Sequence, residues 1–114
     1  MNDCLFCKIA AGDIPAALVY EDQDIVAFKD IAPKAPVHIL VIPRQHIESL
    51  SHAQDKDADI LGKLMLKTAE VAQQQGLKQG YRLVTNSGPG GGQEVPHLHL
   101  HILGDVRSDE YRGF

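Results

Sequence analysis

Three histidines alternate with apolar residues late in the chain, as His97-Leu98-His99-Leu100-His101-Ile102. On a β-strand, residues two apart share a face. The pattern predicts a row of imidazoles on one side and Leu98, Leu100 and Ile102 in a core on the other. Strand propensity does not favour His, and no packing rule asks for three in register, so the row reads as functional. Same-face neighbours sit about 6.6 Å apart and the outer pair about twice that. Adjacent imidazoles can share one ion or one phosphate, but all three cannot easily ligate one small metal. Two chemistries therefore compete. In one, a His pair with a further ligand holds a catalytic metal that keeps an open position. In the other, a neutral imidazole attacks an electrophile, which is feasible near neutrality because its ordinary pKa is about 6.5. A neighbouring His or a backbone carbonyl would fix its tautomer by accepting the other N–H.

The segment before this row bears on the choice. Asn86-Ser-Gly-Pro-Gly-Gly-Gly-Gln93 contains four glycines and ends four residues ahead of His97. Such a loop can turn successive amides inward as an anion nest, and Asn86 and Gln93 add side-chain amide donors. Beside a His row, this points to a phosphorus centre as the electrophile. A second chemical pair, Cys4 and Cys7, is spaced too tightly for an ordinary structural disulfide. It reads as a metal or redox pair, or as two small apolar side chains, in a reducing compartment.

The elements that must position these groups follow from periodicity. A short helix is expected after Asp3 as N-cap, ending before Gly12, with Phe6, Ile9 and Ala10 inward. Strands are expected at 17–20, 25–28, 37–42, 81–85 and 97–103. Glu21-Asp22-Gln23-Asp24 makes the first turn. Val37 to Ile42 is almost wholly apolar, as in a central strand covered on both faces. One long helix reaches Gln75, with Ser51/Gln54 or Asp55 at its start and Gly76 as its stop. Leu61, Leu64, Met65, Thr68, Val71 and Ala72 recur at the helical period. The expected fold class is α+β: a mostly antiparallel five-stranded sheet, one long helix and a short N-terminal helix. With 114 residues, a single domain spans 1–114, and its tail from about 104 to 114 is expected to be irregular.

Composition narrows the classes. A net charge of −4 argues against a nucleic-acid protein gripping through an extended basic surface. No apolar run reaches the roughly 20 residues of a membrane helix, and no signal-peptide pattern opens the chain. A cytoplasmic location is expected.

The string Gly91-Gly-Gln-Glu-Val-Pro-His-Leu-His-Leu-His101, continued by Ile102 and Leu103, resembles the signature of the histidine triad (HIT) family. Upstream, Cys7-Lys-Ile, Asp13-Ile-Pro15, Val19-Tyr-Glu-Asp22, Ala27-Phe-Lys-Asp-Ile31, Ala35-Pro-Val-His38, Val41-Ile-Pro43 and Gly80-Tyr-Arg82 resemble its Hint branch, the histidine triad nucleotide-binding proteins. The resemblance implies a homodimer that binds purine nucleoside monophosphates and hydrolyses phosphoramidates and acyl-phosphates of AMP or GMP. It implies His99 as the nucleophile and His101 as a phosphate contact that assists. Asn86, Gly92, Gln93 and Glu94 would line the phosphate, Glu94 through its backbone N–H. Asp30 would accept from the ribose hydroxyls beside Ile31, and Phe6, Ile9, Ile14 and Phe28 would form the base slot. No cofactor is required for this catalysis. Some relatives carry a structural zinc, for which the matching residues are Cys4, Cys7, His46 and His97. His38 and His52 read as structural and surface residues. Other readings stay open: a dinucleotide polyphosphate hydrolase or nucleotidyltransferase, or a nucleotide-binding scaffold with incidental hydrolysis. Three departures stand out. Glu94 occupies a position where Ser is frequent, Pro96 replaces an aromatic, and the tail from Asp105 to Phe114 matches poorly.

Overall fold

Two consecutive strands, β2 (Ile25–Lys29) and β3 (Val37–Pro43), are buried along almost their whole length. A strand apolar on both faces needs cover on both, and here each face has its own layer. In the computed structural model, which describes residues 3–106, the other elements are α1 (Leu5–Ala10), β1 (Leu18–Glu21), α2 (Ala58–Gln74), β4 (Tyr81–Val84) and β5 (Leu100–Gly104). The strands form one antiparallel sheet in the order β1-β2-β3-β5-β4. One face presents Ile25, Ala27, Ile39, Val41, Leu100 and Ile102 to Leu64, Val71 and Ala72 of α2. The opposite face presents Val26, Phe28, Leu40 and Ile42 to Phe6 of α1. The architecture expected from periodicity is the one observed. The tail expectation falls largely on residues 107–114, outside the described residues.

Several boundaries differ from expectation for identifiable reasons. The N-cap of α1 is Cys4, not Asp3: the Cys4 Sγ accepts the Cys7 N–H at 3.4 Å. The capping box lies at Gln54 and Asp57 rather than at Ser51 and Gln54, because the Ser51 hydroxyl pairs with Ser87 at 2.8 Å. A short 3-10 turn, Asp55–Asp57, then leads into α2. Thr68 fits the buried face of α2 by donating its hydroxyl to the Leu64 carbonyl at 2.7 Å. Met65, expected inward, is half exposed. Gly76 ends the helix with φ +83°, a value that favours glycine.

The last strand is shorter than its alternation suggests. Pro96 has no N–H to give a ladder, and the chain bends there, with the His97 N–H on the Val95 carbonyl at 2.8 Å. The Leu98 N–H goes to the Ile47 carbonyl at 2.6 Å, so ladder pairing begins only at Leu100. Leu98, Leu100 and Ile102 nonetheless enter the α2-side core. Ile102 is fully buried there, opposite Ile39 on β3 and Leu83 on β4. Ile102→Ala should cost about 3 kcal/mol, lowering the thermal midpoint by more than about 10 °C. A loss below about 1 kcal/mol in chemical denaturation would mean that this layer repacks freely.

Candidate active site

The α1 face of the sheet opens into a cleft of about 560 Å³, within the range of small-molecule sites. Its walls come from α1 (Phe6, Ile9), from Ile14, and from Phe28 on β2. Asp30 and Ile31 stand at one rim; Asn86, Gly92 and Glu94 come from the glycine loop; His99 and His101 line the same space. Eleven of the residues expected to hold a nucleotide thus converge on one cleft, though their spans in sequence run from Phe6 to His101.

Gln93 is the exception. Its side-chain N–H groups donate to the carbonyls of Glu48 (2.7 Å) and Val95 (2.9 Å), and its Oε1 accepts the Gly88 N–H at 2.7 Å. These bonds brace the loop from within, and Gln93 does not line the cleft. The expected amide nest is corrected for the same reason. The N–H groups of Gly91, Gly92 and Gln93 close on the carbonyls of Gly88, Pro89 and Gly88. Asn86, Glu94, Lys34 and the imidazoles of His99 and His101 line the cleft, and donors for an anion come from these rather than from the closed loop amides.

The imidazoles form a connected set. His99 and His101 rings lie 4.9 Å apart, and Phe6 meets the His99 ring edge-on at 5.0 Å. The His99 Nδ1–H donates to the His97 carbonyl at 2.7 Å, which leaves the Nε2 lone pair unused by that bond. The expectation that a carbonyl fixes the tautomer is thus matched by the geometry. His38, read from sequence as merely structural, belongs to the same set. Its Nδ1 accepts the Lys34 N–H at 3.0 Å, so its Nε2 carries the hydrogen. That N–H faces the His101 Nδ1 at 2.9 Å, with the Asp30 carboxylate 3.4 Å away. His101 must then hold its own hydrogen on Nε2. One backbone amide therefore sets two tautomers in sequence, and His38 also lines the cleft. The signal for it was a single polar residue in an otherwise apolar strand, which needs a buried partner.

Burial keeps these rings neutral. Removal from water pushes the His101 pKa down to about 4, with His99 and His38 adding to the effect and Asp30 opposing it. Burial also lowers His99, against the favourable bond to the His97 carbonyl. His38 is lowered by burial, while Asp30 opposes and Lys34 adds. Below the ordinary value near 6.5 the unfolded chain binds protons that the folded rings refuse, so stability falls as pH drops from about 6.5 toward 4. A urea midpoint should be lower at pH 5 than at pH 7.5, and His101→Asn should flatten that slope. Equal midpoints at the two pH values would contradict the assignment.

A second cluster lies behind the cleft. Cys4 Sγ and Cys7 Sγ sit 3.2 and 3.4 Å from the His97 Nδ1, and the His46 Nδ1 lies 3.3 Å from it. Cys7 Sγ is also 3.4 Å from the His46 Nδ1, and all four donor atoms fall within 4.8 Å of one another. The His97 Nε2–H donates to the Pro43 carbonyl at 2.8 Å, so Nδ1 offers a lone pair. Two thiols and a second imidazole all crowd this lone pair, as ligands of one ion would. Tetrahedral ligation at about 2.0–2.3 Å gives donor-to-donor edges of about 3.3–3.8 Å, and the cluster nearly meets them. The donor set and its spacing fit zinc.

Residues 11–107 match the HIT domain family. The chain belongs to the HIT family. It is 55% identical over 104 residues to protein HitA of Neisseria gonorrhoeae, covering 91% of this chain and 97% of that protein. Its fold matches a HIT family hydrolase from Legionella pneumophila Philadelphia 1 with a TM-score of 0.89 and 50% identity, over 92% and 95% of the two chains. A histidine triad protein from Clostridium difficile gives a TM-score of 0.91 at 46% identity, over 97% of each chain. This protein thus has the fold of the HIT hydrolases, with the triad at His97, His99 and His101. Among the described residues, no helix is long and apolar enough to cross a membrane.

Proposed function

We propose that this protein hydrolyses purine nucleoside phosphoramidates and acyl-nucleotides, of the AMP-amine and aminoacyl-AMP type, through a covalent nucleotidyl group on His99. This places it in the Hint branch of the family. The observation that carries the reading is the placement of the His99 ring. Its Nδ1–H is fixed on the His97 carbonyl, and it stands in the wall of an apolar cleft. A purine would lie between Phe6, Ile9, Ile14 and Phe28. Asp30 would accept from the ribose hydroxyls: its Oδ1 holds the Ala32 N–H at 2.8 Å, its Oδ2 lies 3.4 Å from the His38 Nε2, and further lone pairs would face a ligand.

The chemistry then has two steps. The His99 Nε2 attacks phosphorus and the bond from phosphorus to the leaving atom breaks; an amine departs with a proton taken from water, whereas an acyl group departs as its carboxylate. Water then cleaves the nucleotidyl–imidazole bond and frees the monophosphate. Splitting one displacement in two lowers each barrier. The His101 Nε2–H and the Asn86 amide donate to the phosphoryl oxygens as charge builds on them. Glu94, at the rim, would meet the leaving group rather than the phosphate, since two negative charges there repel.

Three partner and cofactor readings accompany this. The Cys4–Cys7–His46–His97 set would hold a zinc ion, whose contribution is structural cross-linking. The half-exposed Met65, the exposed Leu66, and Tyr81 and Leu83 on the edge strand β4 suit burial in a homodimer. A cytoplasmic setting would keep Cys4 and Cys7 as thiols.

A turnover panel tests the function directly. AMP and GMP amides should be cleaved to the monophosphate, with diadenosine polyphosphates at least about tenfold slower in kcat/KM. Turnover of the polyphosphates alone would replace this reading with the dinucleotide hydrolase, and no turnover of any would leave a binding protein.

A further inference from the structure

Helix α1 supplies the Leu5, Phe6 and Ile9 side of the cleft, yet it has only six residues. A helix so short does not persist in water by itself. What holds it is therefore what holds the base slot. At its C-terminal end the Arg44 guanidinium donates to the Ala10 carbonyl, and also to the Asp22 carbonyl at 2.8 Å. In its middle, Phe6 is wedged between Phe28 (5.4 Å) and the rings of His97 (6.0 Å) and His99 (5.0 Å). At its N-terminal end the N-cap residue Cys4 and the first-turn residue Cys7 both belong to the donor cluster. Their capping bond is a long one to sulfur, and the cluster ties that end to His46 and His97 on the sheet side.

His97 carries the same tie into the chemistry. Its Nδ1 is in the cluster, its Nε2–H is on Pro43, and its carbonyl holds the His99 Nδ1–H. One residue thus joins the donor set to the nucleophile's tautomer, and one helix joins it to the base slot. Neither Cys4, Cys7, His46 nor His97 lines the cleft.

We infer that the cluster is the positioning device of this site: metal held by Cys4, Cys7, His46 and His97 fixes α1 as a wall of the nucleotide cleft and the His97 carbonyl against His99. His46 and His97 are then positioning residues, and nucleotide affinity depends on an ion that touches no nucleotide. The inference rests on the zinc reading above and adds the coupling. With the ion removed, the contacts among Cys4, Cys7, His46 and His97 are only long hydrogen bonds of 3.2–3.4 Å to and between sulfur and imidazole. The N-terminal turn of α1 then loosens, and the fraction of molecules with a formed slot falls.

His46 separates this coupling from direct effects. It is exposed, it follows β3, and its side chain meets Cys7 and His97 rather than the cleft. The test uses the purified full chain and three measurements: zinc by elemental analysis, AMP affinity by calorimetry, and hydrogen exchange of the amides of residues 5–10. Wild type should hold about one equivalent of zinc. His46→Asn should lose it, bind AMP about tenfold more weakly, and exchange faster in α1. Zinc-stripped wild type should behave in the same way and recover on zinc addition, which covers the case of a variant that does not fold. Loss of zinc with unchanged AMP affinity and unchanged α1 exchange would overturn the coupling and leave the zinc reading intact. Wild type carrying less than about a tenth of an equivalent would overturn both.

Discussion

His99→Ala should reduce kcat for an AMP-amine by about 10⁴-fold or more, while AMP still binds within a few-fold of wild type. The asymmetry follows from where the ring sits. His99 contributes an edge to Phe6 at 5.0 Å and a neighbour to His101 at 4.9 Å, but most of the cleft wall comes from other residues. Removing the imidazole takes away the atom that attacks phosphorus and leaves the base slot standing. The Nδ1–H bond to the His97 carbonyl disappears together with its donor, and a carbonyl tolerates that loss better than an amide would. Turnover and binding measured on the same preparation check it. Retention of more than about a tenth of wild-type kcat would show that another group forms the bond.

His38→Leu should give the next largest effect, lowering kcat about 100-fold with KM within a few-fold. His38 touches the His101 Nδ1 at 2.9 Å and passes on the orientation dictated by the Lys34 amide at 3.0 Å. Without it, the His101 tautomer is unset, and its hydrogen is no longer assigned to the edge that meets the phosphoryl oxygens. Leucine fills the volume, so folding should survive. Gln is the informative companion, because its amide can return an N–H to His101. His38→Gln should recover about tenfold of the lost kcat. Equal kcat in the Leu and Gln variants would mean that His38 acts only as packing, and an effect on KM alone would assign it to binding.

The two faces of the sheet are legible in the sequence. Alternation placed Leu98, Leu100 and Ile102 inside, and the unbroken apolar run from Val37 announced a strand with cover on both sides. The loop and strand alone set Asn86 beside His99 and His101, whereas adding Asp30 to that cleft takes the family resemblance, since no local pattern marks residues so far apart in sequence. What escaped was pairing. A glycine-rich string shows that amides are available, not whether they face a ligand or each other, and here Gly91, Gly92 and Gln93 close on their own loop. Position alone assigns Gln93 to the phosphate, whereas its amide group bridges Glu48 and Gly88. Asp3 is the stronger capping residue in isolation, but the tertiary cluster draws Cys4 into that place. His38 gives no functional signal in the sequence, because one histidine in an apolar strand is ordinarily a satisfied structural residue. Only its distance to His101 reveals the tautomer chain.

The central claim is a bond between the His99 Nε2 and phosphorus. Rapid mixing with an AMP-amine, quenching and peptide mapping by mass spectrometry measures it. The account predicts an adenylyl group, stable in base and labile in acid, on the peptide containing His99, formed and lost at rates compatible with turnover. Turnover with no adduct at any time point, or an adduct confined to another residue, would contradict it.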